Sequence, residues 1–207
     1  MQLAVNVQLP RELDGAGGHC IYIGRCFCLD HITTTTTPTQ QPPCMTDTTL
    51  HSIRTHTDTE GSFVAERAYA MAQAFVQHIH SMEAGADEAR SPELQSLTPD
   101  SILSNIHLYR VHDYVEQMAL VNMLPELLRT ELPRVRLVII DTVSFHFRHE
   151  FDDMNQRTRI LLYMAQRLQE LAEQQAVAVC EASPLLWLEL LALLTECSGL
   201  GGGIRSC

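Results

Sequence analysis

Two carboxylate-bearing segments carry the clearest chemical signal in this chain. In Arg136-Leu137-Val138-Ile139-Ile140-Asp141-Thr142, branched apolar residues run into a single Asp. Such a run predicts a strand buried on both faces of a parallel sheet. Its terminal carboxylate is then delivered to the edge where open α/β sheets bind ligands. Nucleotide hydrolases use that place for the carboxylate that helps hold Mg²⁺ near the phosphates. The plainer reading of Asp141 is a turn-starting residue after a buried strand. The second segment is Asp58-Thr59-Glu60-Gly61-Ser62-Phe63. It sets two carboxylates and a glycine before the helical pattern Val64, Ala68, Met71, Phe75, Ile79. The plainer reading of Glu60 is a carboxylate favoured by the helix dipole near the N-terminus.

Together these segments resemble the RecA-like recombinase family and, within it, the eukaryotic DNA-repair paralogues. The resemblance also rests on Met1 to Pro10, Asp100-Ser101-Ile102-Leu103-Ser104-Asn105-Ile106, and Phe147-Arg148-His149-Glu150-Phe151-Asp152-Asp153. It covers residues 1–23 and 58 to about 180. It implies that Glu60 is the water-activating glutamate. It equally implies that Asp141 is the carboxylate acting on Mg²⁺ through water. Asp58 and Thr59 belong to the same nucleotide-associated motif. The stretch from Phe147 to Asp153, with Arg157 and Arg159 beyond it, matches the first DNA-binding loop. Arg148, Arg157 and Arg159 would contact phosphates and Phe147 would stack on bases. A solvated loop and helix start is the alternative, because Glu150, Asp152 and Asp153 offset the charge. The implied cofactors are ATP and Mg²⁺. The implied partners are sister recombinase paralogues and single-stranded or branched DNA, with work in homologous recombination in the nucleus and no membrane.

The elements needed to position these residues can be read from pattern. The 207 residues are 45% hydrophobic and 19% charged, a globular composition large enough for one α/β core. Strands are expected at His19–Ile23, Ile106–Val111, Val135–Asp141 and Ala176–Cys180. Helices are expected at Glu66–Glu83, Asp113–Arg129 with Asp113 as N-cap, and Asp152–Gln174. Met1–Gln8 reads as a helix end, followed by a turn through Gly15, Gly17 and Gly18. Alternating strands and helices give a three-layer core around a mostly parallel sheet. Residues 84–99 read as a polar connection. Residues 24–57, with Thr33 to Thr37 and Pro38, Pro42 and Pro43, read as a disordered insertion into an incomplete RecA-like core spanning 1–180. Two origins fit that insertion: translated intron or mispredicted exon, and a lineage-specific loop. Residues 181–207 read as a tail outside the family pattern, since Glu181-Ala182-Ser183-Pro184 stands where the family has an Asn-Gln pair.

Other features bound the function. A net charge of −11 argues against strong nonspecific nucleic-acid binding by the whole surface. Seven irregularly spaced cysteines point to unpaired thiols, not a disulfide framework. His146, His149 and Glu150 come from one loop and form no closed zinc set. Leu185 to Leu194 is too short for a membrane span of about 20 residues. No GxxxxGK[ST] segment, the usual backbone cradle for phosphates, occurs in the 207 residues. By the resemblance, Met1 falls just after the phosphate-binding Lys-Thr, so the strand and loop that precede it would be missing. That strand is central in the family, and its loss is expected to leave Leu137–Ile140 without a pairing partner. Two functions follow: a recombination ATPase paralogue, or a non-enzymatic module that binds sister paralogues without hydrolysing ATP.

Overall fold

A computed structural model describes residues 1–25, 63–83, 94, 96–143, 146–147, 151 and 153–181. In chain order these form α1 (Gln2–Asn6), a 3-10 turn (Arg11–Leu13), β1 (His19–Arg25), α2 (Ala65–Glu83), α3 (Pro99–Ser104) and β2 (Ile106–Val111). They continue with α4 (Tyr114–Thr130), β3 (Val135–Asp141), α5 (Met154–Gln175) and β4 (Ala178–Glu181). All three strand pairings are parallel and the order is β2-β1-β3-β4. The four strands match the expected ones closely. Their branched, both-faces-apolar sequences suit a sheet covered on each side.

Side-chain alternation along the strands divides the core in two. Ile21, Ile23, Val138 and Ile140 face α4 and α5, packing on Leu124, Leu128, Met164 and Leu168. Cys20, Tyr22, Leu137 and Ile139 face the opposite way, onto Ala4 of α1 and Phe63 and Ala68 beside and within α2. Val5, Ala72, Val76, Ile79 and Ile102 join α1, α2 and α3 behind them. The result is three layers, helices on both faces of one sheet. Gln8 ties this second layer together. Its buried amide donates to the carbonyls of Ala4 and Ile102, at 3.0 and 2.8 Å, and its Oε1 accepts from Asn105 Nδ2 at 3.2 Å.

The caps explain where the helices start. Asp113 accepts the Glu116 N–H at 2.7 Å ahead of α4, as expected. Asp153, one residue later than expected, does the same for Asn155 ahead of α5. Thr98 and Ser101 form a reciprocal capping box on α3, a helix that the sequence pattern did not announce. The glycine turn before β1 is sterically required. A Cβ on Gly15 would lie 2.0 Å from the Leu9 carbonyl oxygen, and Gly17 has φ +57°.

Four expectations need correction. Leu137–Ile140 is not left without partners: β3 pairs with β1 on one side and β4 on the other. Among the described residues the open edges belong to β2 and the four-residue β4. The strand at His19 does not stop at Ile23. Gly24 pairs with Arg110 and Asp141, and Arg25 with Val111, so the expected insertion starts two residues too early. Glu181, assigned to the tail, closes β4 opposite Ile140. The connection at 84–99 also ends in packed structure, with Leu94 and Leu97 buried. Residues 26–57 and 182–207 lie outside the described residues.

Candidate nucleotide-associated site

The carboxyl ends of β1 and β3 form the sheet's switch point. From β1 the chain crosses to β2 over the α2–α3 face; from β3 it crosses to β4 through α5 on the opposite face. Neighbouring strands whose connections leave to opposite sides open a crevice between them, where doubly wound sheets take ligands. Asp141 stands at that crevice.

Its placement follows from strand period. Leu137 and Ile139 face the α1–α2 layer, so Asp141 follows them to the same side. Its partner across the ladder is Gly24, which has no side chain. Tyr22, two residues earlier on β1, therefore reaches past it. The phenol donates to Asp141 Oδ2 at 2.6 Å, a short charge-assisted hydrogen bond. Phe63 packs edge-on against the Tyr22 ring, centroids 5.0 Å apart, and holds it upright. Phe63 is also where the described chain resumes after Asp58, Thr59 and Glu60, which lie outside the described residues together with Arg148. A cis peptide bond joins Asp141 to Thr142.

The Tyr22–Asp141 pair leaves one carboxylate oxygen for other contacts at a partly exposed edge. Mg²⁺ sheds its waters reluctantly and is bound by one or two carboxylates plus substrate phosphates. A single carboxylate at this crevice fits a water-mediated contact of that kind. Among the described residues no group of three or more His, Cys, Asp or Glu side chains is arranged to hold a metal.

Glu181 lies on the same edge and was missed at the sequence level. Burial pushes its carboxyl up to about 7, opposed by the Val143 N–H, which donates to Oε1 at 3.2 Å. Its Oε2 is buried without a hydrogen-bond partner. Sequence offered one signal, a carboxylate directly after an apolar strand, the same as for Asp141.

Among the described residues, the candidate DNA contacts Phe147, Arg157 and Arg159 do not converge. Phe147, expected to be available for stacking, is fully buried. Its ring lies 5.6 Å from Tyr114 and 5.8 Å from Phe151, clamping the segment after β3 onto the start of α4. His146 beside it is buried too. Burial holds its imidazole below the ordinary value, with Asp113 and Glu116 pulling up and Arg25 and His112 pushing down. Arg157 is half-buried and Arg159 exposed; two positions apart on α5, they point in different directions.

A parallel sheet with helices on both faces and a carboxylate at its switch point defines a doubly wound α/β protein. Residues 27–184 match the Rad51 family model. The chain belongs to the Rad51 family. It is 35% identical over 181 residues to DNA repair protein RAD51 homolog 3 of Cricetulus griseus, 86% of this chain and 40% of that protein. The identity to the protein of the same name from Dictyostelium discoideum is 30% over 181 residues, 86% of this chain and 37% of that one. DNA repair and recombination protein RadA of Methanocorpusculum labreanum is 34% identical over 155 residues, 72% of this chain and 33% of RadA. The chain thus spans 40% or less of each of these relatives.

Proposed function

We propose that this chain acts in DNA repair by homologous recombination, as a RecA-like recombinase paralogue. The observation that carries the reading is Asp141 at the β1–β3 switch point, fixed by the Tyr22 hydroxyl in a Rad51-family sheet. The ligand class is ATP with Mg²⁺. Bound there, the metal would neutralise phosphate charge and align the transferring phosphoryl group. Asp141 would hold a metal-bound water, Tyr22 would fix the carboxylate's rotamer, and Glu60 would orient the attacking water. Sister paralogues and single-stranded or branched DNA are the proposed partners and the nucleus the proposed location. Among the candidate contacts, exposed Arg159 is the best placed to meet phosphates; buried Phe147 is not placed to stack. Among the described residues no helix is long and apolar enough to cross a membrane.

A second reading keeps the paralogue surfaces without the chemistry. It is favoured by one observation: the 207 residues contain no GxxxxGK[ST] segment. The two readings separate in cells lacking the corresponding paralogue, scored with a homologous-recombination reporter. Rescue by the chain but not by Asp141→Asn supports the first reading. Equal rescue by both supports the second, and no rescue by either opposes both.

A further inference from the structure

The amino end of the sheet, opposite Asp141, carries a second pair of chemically competent side chains. His19 opens β1, and His107 on β2 pairs with Ile21. His19 and Ile21 share a face, so both imidazoles project to the same side of the sheet. His19 Nδ1 and His107 Nε2 are 3.2 Å apart, with ring centroids 5.5 Å apart. The rings meet through their nitrogens, and two parallel, hydrogen-bonded strands fix both backbones.

We infer that His19 and His107 form a binding site for a borderline divalent cation, Zn²⁺, Ni²⁺ or Cu²⁺, clamping β1 to β2. Imidazole is the preferred protein ligand of these ions. At Zn–N bonds of about 2.0–2.1 Å, nitrogens separated as these are subtend about 100° at the metal, close to tetrahedral. The cation would sit beside the N···N line, with each ring turned toward it about its Cβ–Cγ bond. Both ligating nitrogens must present lone pairs, which puts the ring protons on His19 Nε2 and His107 Nδ1. Starting from two neutral rings, that is a tautomer change in one of them with no net proton release. Burial, His107 and Arg134 hold His19 down at about 4, so it is neutral at physiological pH and loses no proton to bind. Among the described residues no third His, Cys, Asp or Glu completes a cluster. Water fills the remaining positions, as in an open, moderate-affinity site. The same Arg134 guanidinium that lowers the His19 pKa opposes a cation at this place.

The test is calorimetric titration of the full chain with ZnCl₂ and NiCl₂ at neutral pH, with a His78→Asn/His80→Asn background to remove the two histidines of α2. One equivalent should bind. His19→Asn and His107→Asn should each weaken binding at least tenfold, and Arg134→Gln should tighten it. Because either variant could fold poorly, histidine ring ¹⁵N shifts of the unsubstituted pair are recorded with Zn²⁺. His19 Nδ1 and His107 Nε2 should be the nitrogens that move. No binding, an affinity in either Asn variant equal to that of the unsubstituted chain, or movement confined to other histidines overturns the site.

Discussion

The two faces of the sheet are built from the same strands but do different work. The α4–α5 face is mainly aliphatic, from Ile21 and Val138 to Leu124, Met164 and Leu168, with Phe147, Tyr114 and Phe151 gathered where the segment after β3 meets the start of α4. The α1–α2 face mixes small residues such as Ala4, Ala68 and Cys20 with Tyr22 and Phe63. Small residues bring α1 and α2 close, and the aromatic pair leaves a hydroxyl directed at Asp141. One face therefore supplies most of the burial, and the other delivers a polar group to the switch point. Both depend on the alternation of β1: odd positions stabilise, even positions approach the site.

That contrast can be broken from either side. Leu124→Ala, at a fully buried position on α4, should cost about 2–5 kcal/mol in denaturant unfolding, because the close-packed aliphatic face cannot collapse around the cavity. A loss below about 1 kcal/mol would mean that this face is loosely packed. Tyr22→Phe keeps the ring against Phe63 and removes only the hydroxyl. It should cost about 1 kcal/mol of stability, in the range of hydrogen bonds to charged groups after allowance for partial exposure. Its larger expected effect is on Mg²⁺–nucleotide affinity in a complete assembly, by loss of the Asp141 rotamer. Unchanged affinity would remove Tyr22 from the site.

The smallest expected effect concerns Glu181. Burial raises its folded pKa to about 7, above the ordinary glutamate value of 4.5, so the folded state holds the proton more tightly than the unfolded chain. The associated stability is full below about pH 4.5 and is lost as pH rises through about 7. Glu181→Gln should flatten that decline between about pH 4.5 and 7 while leaving the profile below pH 4.5 alike. A wild-type profile that rises across that window would reverse the assigned sign.

Much of the fold was legible because it is written in period and caps. The run from Val135 to Asp141 could only be a strand buried on both sides, and Asp113 could only be read as a cap once Tyr114 to Thr130 was seen as helical. α3 was not legible, since six residues carry too little periodicity; its Thr98/Ser101 capping box was the available signal. Pairing order escaped as well. Nothing in a strand's composition says which neighbour lies on each side, so β4 beside β3 came only from the structure. For the candidate site, the position of Asp141 at a strand end was legible from the apolar run before it. Phe147 was misjudged because an aromatic in a loop reads the same whether it stacks on bases or, as here, on Tyr114 and Phe151. Tyr22 was invisible as a partner because its contact spans 119 positions.

On the proposed reading, Asp141 and Glu60 would belong to a phosphoryl-transfer site that needs a phosphate cradle, and the 207 residues contain no GxxxxGK[ST] segment. In such chemistry the protein mainly positions phosphates and stabilises their charge. In the proposed roles, Glu60 would act only on a water already aimed at a γ-phosphate, and Asp141 would assist only a metal already held by the phosphates. The direct measurement is ATP turnover by the purified chain with Mg²⁺, beside Glu60→Gln and Asp141→Asn. The predicted result is no turnover above background for the chain by itself, and turnover sensitive to both substitutions once a GxxxxGKT-bearing strand and helix is joined upstream. Turnover by the unmodified chain that both substitutions abolish would contradict it.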